Sequence, residues 1–411
     1  MPQGFPAWAA VAIFLGTYAV IALGRVPGLR LDRAGAALLG ASLMVAAGAL
    51  DLREAYRAID FDTITLLLGM MIVVANLRLS GFFAVTADWL ARRIRHPLGL
   101  LAATILVSGF FSAFLVNDTI CLVLTPLVLE LVAALRRNPV PYLLALAMAS
   151  NIGSTATITG NPQNIMIGSF SGIAYGSSLA ALAPVALAGL AIVFLAVAAA
   201  YRGEFRGGRL GTAAPITGRA NRPLIAKSVA VTAAMVAAFF LVAPPAKVAI
   251  VAGALLLPTR RLKPRRIYAE IDWALLLLFA GLFIVVAGAE KAVLSPAALT
   301  LAGRLHLGEV GVLSLVAAIL SNLVSNVPAV LVLKPFVQHL ADPRTAWLTL
   351  AMASTLAGNF TILGSVANLI VVERAERSRI AIGFWTYFRL GAPVTVLTLA
   401  FGAWWLSRGA L

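Results

Sequence analysis

Charge is what this chain has least of. Only 12% of its 411 residues are Asp, Glu, Lys or Arg, while 61% are hydrophobic. An ordinary soluble domain carries about twice that share of charge, so a water-facing globular surface is excluded. Cysteine is nearly absent: Cys121 stands alone, which rules out an internal disulfide and a cysteine metal cluster. Histidine is hardly commoner. His96, His306 and His339 are scattered near segment ends, without the spacing of metal ligands. No P-loop is present, which argues against nucleotide hydrolysis in this chain. No nucleophile–base pair lies within the apolar segments, which argues against an intramembrane enzyme. No ten-residue alternation suggests a membrane barrel. The first apolar stretch lacks a basic start and a small-residue cleavage site, so it reads as a retained span.

What the chain has is apolar length. Runs of about twenty residues match a ~30 Å hydrocarbon layer. They fall near 5–23, 34–50, 61–79, 142–168, 178–200, 224–243, 246–258, 271–290, 346–372 and 384–406. Two more, 98–135 and 308–341, are interrupted by polar residues. An all-α polytopic membrane protein follows. The net charge of +16 then marks cytoplasmic loops rather than a nucleic-acid surface. With the N-terminus outside, those loops hold Arg25, Arg30 and Arg33; Arg92, Arg93 and Arg95; Arg136 and Arg137; Arg260, Arg261, Lys263, Arg265 and Arg266; and Arg374, Arg377 and Arg379. The basic, Gly-rich stretch 202–223 is a cytoplasmic linker at the midpoint.

The halves on either side of it, 1–201 and 224–411, repeat each other. "ID-F" at 59–61 and "ID-W" at 271–273 both lead into G-x-x-x-V-V: Gly69 with Val73 and Val74, and Gly281 with Val285 and Val286. "LVNDTICLVLTP" aligns with "VSNVPAVLVLKP", pairing Asn117 with Asn326 and Pro126 with Pro335. "LAMASNIGSTATITGNPQN" aligns with "LAMASTLAGNFTILGSVAN", pairing Thr157 with Thr361, Gly160 with Gly364 and Asn164 with Asn368. Five spans per half is an odd number, so the second copy runs opposite to the first. Inverted repeats of this kind are common in secondary transporters, which bind cargo at the repeat interface.

The aligned polar stretches, within 142–168 and 346–372, are hostile to a continuous helix. Unpaired backbone cannot face lipid, so these are broken helices turned into the protein, the best sequence pointer to a transport site. Packing of small residues would account for Gly153, Ser154 and Gly160, but not for Pro162 between Asn161 and Asn164. In 98–136 and 308–341 the breaks are Val116-Asn117-Asp118-Thr119 and Ser325-Asn326-Val327-Pro328. Each region is either a pair of spans with a surface turn or a re-entrant hairpin. The lack of basic residues at the turns favours the hairpin.

Asp118 is an acid inside a membrane segment, which points to an ion or proton site; a helix N-cap is the alternative. Lys334 and Arg389 could balance an anion, pair with Asp118 or snorkel outward. Asp60 and Asp272 read as water-facing helix caps.

At "NDTICLVLTPLV", "SNIGSTATITGNPQN", "SNLVSNVPAVLVLKP" and "GNFTILGSVANLIVVE" the chain resembles the ion transporter superfamily of arsenite permeases, sodium/proton antiporters and divalent anion/sodium symporters. The Asn-Asp tip followed by "LTP" is most similar to the arsenite permease branch. The symporter branch carries Ser-Asn-Thr at both tips, and the departures here weigh against a dicarboxylate with two sodium ions. The resemblance implies a homodimer with a static scaffold and a transport body moving like an elevator. It also implies that Asn117, Asp118, Thr119, Thr157, Gly160, Asn161, Ser325, Asn326, Thr361, Gly364 and Ser365 line the site. The polar residues of the two breaks add Ser154, Thr155, Asn164, Asn359 and Asn368.

The sequence thus predicts a secondary-active transporter of a small anion or oxyanion in the cytoplasmic membrane. A proton or sodium gradient drives it, and it needs no cofactor, no metal beyond transported sodium and no nucleic acid. The alternative is a sodium/proton antiporter without an anion. That would need exchanging carboxylates, yet besides Asp118 only Asp62, Asp88, Glu130, Glu290 and Glu309 offer themselves, all near span ends.

Overall fold

A computed structural model describes residues 7–23, 31–206, 208, 210, 220–241, 244–293 and 306–409. Every regular element among them is a helix. Seven are long and apolar enough to cross a membrane: Phe61–Ser80, Pro97–Phe114, Asn117–Ala134, Tyr175–Ala200, Arg222–Leu241, Trp273–Ala292 and Phe384–Ser407. The chain is an integral membrane protein. Shorter apolar helices, Trp8–Leu23, Arg33–Ala46, Pro245–Leu256, Val310–Val324 and Asn326–Val337, stand among them.

The helix ends follow from local chemistry. Asp60 caps Phe61–Ser80, its Oδ1 accepting from the N–H groups of Asp62 at 3.1 Å and Thr63 at 3.4 Å. Asp272 Oδ1 likewise accepts from Leu275 N–H at 2.9 Å. Proline opens the helices that begin at Pro97, Pro139, Pro162, Pro245 and Pro343, where its missing N–H costs no hydrogen bond. Gly81, at φ 86°, ends Phe61–Ser80 in the left-handed conformation.

Helices pair across the halves in a reciprocal way. Phe61–Ser80 of the first half packs on Pro245–Leu256 of the second, and Trp273–Val293 of the second packs on Arg33–Ala46 of the first. The repeated G-x-x-x-V-V motif is the reason. A Cβ on Gly69 would overlap the Ala249 backbone, and one on Gly281 would lie 2.7 Å from the Ala37 carbonyl carbon. Only glycine lets these helices cross so closely, and the valines behind it are buried.

Pro97–Phe114, Asn117–Ala134, Tyr175–Ala200 and Phe384–Ser407 pack against two interrupted helices. One runs Pro139–Ser154, stops, and resumes as Pro162–Ser171; the other runs Pro343–Ala357, passes through the 3₁₀ turn Ile362–Gly364 and resumes as Val366–Arg377. Pro97–Phe114 and Val310–Val324, the first arms of the two hairpins, lie along the first segments of these helices. The turn after Pro97–Phe114 is buried, with Leu115, Val116 and Asn117 all at 3% exposure or less. The Asn117 N–H donates to the Gly160 carbonyl at 3.0 Å, so this turn closes onto the broken helix instead of facing water.

Within the linker 202–223, Arg202–Phe205 is a short helix that ties back to the first hairpin: Arg137 Nε donates to Glu204 Oε1 at 2.7 Å. Residues 207, 209 and 211–219 of that linker lie outside the described residues.

Candidate functional site

Each broken helix is a helix C-terminus facing a helix N-terminus, and the gaps are held open by side chains. In the first, Asn161 caps Pro162–Ser171 by accepting from the Asn164 N–H at 2.9 Å. In the second, Ser365 caps Val366–Arg377 by accepting from the Ala367 N–H at 3.2 Å. Asn164 then ties its gap together, its Nδ2 donating to the carbonyls of Ser154 and Thr157, both at 3.1 Å. Asn368 does the same one repeat later, donating to Gly358 at 2.7 Å and Thr361 at 3.1 Å. The offsets are identical, ten and seven residues back. The glycines are matched too. A Cβ on Gly160 would overlap the Ser154 carbonyl, and one on Gly364 would lie 2.8 Å from the Gly358 oxygen.

The two gaps are then stitched to each other. Asn151 Nδ2 donates to Asn359 Oδ1 at 2.9 Å and to Asn368 Oδ1 at 3.0 Å. Its Oδ1 accepts from Asn117 Nδ2 and from Ser365 Oγ, each at 3.0 Å. All four hydrogen-bonding positions of that amide are used. Thr355, which the repeat aligns with Asn151, is the reciprocal node. It donates to Asn164 Oδ1 at 3.3 Å and accepts from Asn161 Nδ2 at 3.0 Å and Gln163 Nε2 at 3.2 Å. Ser154 Oγ accepts from Asn161 Nδ2 at 2.9 Å and donates to the Asn151 carbonyl at 2.7 Å.

Most of the residues expected from the sequence therefore meet in one place: Asn117, Ser154, Thr155, Asn161, Asn164, Asn359, Ser365 and Asn368, with Gly160 and Gly364 giving the room. The Thr157 hydroxyl turns instead to the Ala113 carbonyl and the first hairpin. Thr361 contributes its carbonyl, and Thr119 is half-buried on the first turn of Asn117–Ala134. Asp118 lies on that same turn, and its helix packs against Val366–Arg377. Ser325 sits at the tip of the second hairpin with φ 77° and ψ 160°, a conformation nearly reserved for glycine and typical of strained functional turns. Asn326, next to it, lies close to Gly358.

Three residues were missed from the sequence: Asn151, Thr355 and Gln163. Their signal was present, since all lie within the aligned polar stretches and Asn151 and Thr355 occupy matched positions. Lys334 does not pair with Asp118. Its Nζ lies 3.9 Å from Glu290 Oε1 and 4.7 Å from the centre of the Phe170 ring. Arg389 is exposed.

Among the described residues, no lysine or arginine is hydrogen-bonded to this network. Three carboxamide oxygens at its edge are buried without a partner: Asn117 Oδ1, Asn322 Oδ1 and Asn326 Oδ1. Asn117 and Asn326 are the matched hairpin-tip residues. A buried acceptor left unmade costs about 1–3 kcal/mol. The helix N-termini at Asn117, Asn161, Asn326 and Ser365 add partial positive charge around the same centre.

Apolar spans arranged around two broken helices define a membrane transporter. Comparison with known proteins gives the family. The citrate transporter family, CitMHS, matches residues 18–357, and the chain belongs to it. An uncharacterized transporter of Mycobacterium tuberculosis is 33% identical, with 97% of each chain covered. A silicon efflux transporter of Oryza sativa is 32% identical over 92% of this chain and 93% of its own. In fold, the chain is similar to the crystal structure of the Alcanivorax borkumensis YdaH transporter, with a TM-score of 0.56 and 14% identity, covering 98% of both chains. The protein is a secondary transporter of small ions across the membrane, not an enzyme.

Proposed function

We propose that the protein is a secondary-active transporter of a small anion or oxyanion, working by alternating access. Its two halves form an inverted repeat of five spans each. The hairpins and broken helices make up the moving body, and the reciprocally paired helices Phe61–Ser80, Pro245–Leu256, Trp273–Val293 and Arg33–Ala46 the scaffold it moves against. The working unit is a homodimer in the cytoplasmic membrane, with the N-terminus outside.

The observation that carries this reading is the matched pair of broken helices whose resumed N-termini meet at one buried amide network. Converging helix N-termini suit an anion. Among the described residues no basic side chain reaches the network to balance several charges, so a small oxyanion or weakly acidic oxoacid fits better than a tricarboxylate. The relative named for silicon efflux is consistent with such a cargo. Hard cations take oxygen ligands, so Asn117 Oδ1 and Asn326 Oδ1 favour sodium as the coupling ion. Asp118 contributes the negative charge at the first tip.

A second reading rests on Asp118 itself. An intramembrane carboxylate could exchange a proton for sodium with no anion carried. Both readings give Asp118→Asn the same first outcome: gradient-driven flux is lost while the melting temperature in detergent is kept. Full coupled transport by that variant would end the coupling role of Asp118. Sodium-dependent flux that needs an added anion supports the first reading over the second.

A further inference from the structure

The twelve-residue helix Phe82–Arg93 joins Phe61–Ser80 to the first hairpin and has two unlike faces. Its inner face is aromatic. Phe82 and Phe83 meet Phe111 of the hairpin edge-on, at 5.7 Å and 5.3 Å between ring centres. Its outer face begins apolar and ends basic. Val85 is 46% exposed and Trp89 is 53% exposed. Arg92 and Arg93 close the last turn, and Arg95 follows. The Arg93 guanidinium lies 5.1 Å from the centre of the Trp89 ring.

Positive charge gathers around this end. The Leu210 N–H donates to the Arg95 carbonyl at 2.9 Å, and Glu204 holds Arg137, so the linker is drawn against the same face. Arg93, Arg95, Arg136, Arg202 and Arg206 are all exposed there. Two of the nearby acids are engaged, Asp88 with Arg92 at 2.9 Å and Glu204 with Arg137 at 2.7 Å, which leaves the exposed Glu130 outnumbered by the arginines. The base of the second hairpin is different, since His306 and Glu309 adjoin there, and Asp342 and Arg344. Among the described residues, the base of the first hairpin carries a clear excess of arginine over acid.

We propose that this helix and the arginines beside it form a docking surface for anionic phospholipid headgroups, which fixes the first hairpin's tether at the membrane interface. An exposed tryptophan beside arginines is interfacial chemistry: the ring and Val85 enter the upper acyl region while the guanidinium groups meet phosphate. A free anion would satisfy the arginines and leave Trp89 and Val85 uncovered. The surface does not depend on which cargo is carried.

The test titrates purified protein in neutral detergent with phosphatidylglycerol, phosphatidylcholine or inorganic phosphate and follows the melting temperature. Phosphatidylglycerol raises it, while phosphatidylcholine and phosphate do not. A basic residue near an anionic surface contributes about fivefold to binding. Arg93→Gln with Arg95→Gln therefore shifts half-saturation by about 25-fold and leaves the lipid-free melting temperature unchanged, because both side chains are exposed. Trp89→Ser weakens the lipid effect with the charges intact, which separates the lipid surface from a bare cationic patch. Equal stabilisation by phosphatidylcholine or by inorganic phosphate would overturn the proposal. So would an unchanged half-saturation in the double variant.

Discussion

Removing the Asn151 side chain is the sharpest perturbation of the network. Asn151→Ala deletes four buried hydrogen bonds, to Asn117, Asn359, Ser365 and Asn368. At a net value of about 1 kcal/mol each, the loss is about 4 kcal/mol, before any cost of the partners left unpaired. With an unfolding entropy near 2.1 cal/mol/K per residue, that corresponds to a melting shift of about 5 °C for a chain of this length. The control is Ser354→Ala. Ser354 is equally buried, but its hydroxyl donates only to carbonyls of its own helix, Leu350 at 2.7 Å and Ala351 at 3.5 Å. Its removal should cost less than about 1 kcal/mol. Fluorescence-monitored thermal unfolding in detergent compares the two. If Asn151→Ala melts within about 1 °C of Ser354→Ala, the claim that this amide joins the two halves is wrong.

Other consequences follow from the same geometry. Gly160→Ala should abolish folded protein, since its Cβ overlaps the Ser154 carbonyl, whereas Gly364→Ala, at 2.8 Å from Gly358, should fold with a lowered melting temperature; size-exclusion profiles distinguish them. Glu290→Gln leaves the Lys334 cation half-buried without its carboxylate partner and should destabilise the protein. Adding Lys334→Met should restore most of the loss, because removing both members of a buried pair costs far less than removing one. A double variant no more stable than Glu290→Gln alone would show that the pair is not the source.

How much of this could be read from the chain depends on the kind of signal. Apolar length announces spans without any neighbour being known. Gly160, Asn161 and Pro162 announce a break because each disfavours a helix interior for a local reason. The G-x-x-x-V-V repeat flagged Gly69 and Gly281 as equivalent, though the helices they cross, Pro245–Leu256 and Arg33–Ala46, belong to the other half and leave no local trace. Asn151 escaped for a related reason. It lies in the aligned polar stretch but on the helical side of the break, and its repeat partner is a threonine, so alignment hid a shared role carried by different chemistry. The Lys334–Glu290 pair joins residues far apart in sequence, beyond the reach of pattern. Helix Phe82–Arg93 was visible only as a basic loop, because its twelve residues are too short to register as a span.

The central claim is gradient-driven movement of a small anion, and flux decides it most directly. Purified protein in vesicles loaded with a pH dye is given a sodium gradient with no candidate anion, then with arsenite, silicate, sulfate and citrate in turn, and tracer uptake is followed beside the dye. The account predicts sodium-dependent uptake with one of the small oxyanions or oxoacids, absent in Asp118→Asn, and no pH change with sodium alone. A pH change driven by sodium alone, unaffected by any of the anions, would contradict it and leave sodium/proton exchange in its place.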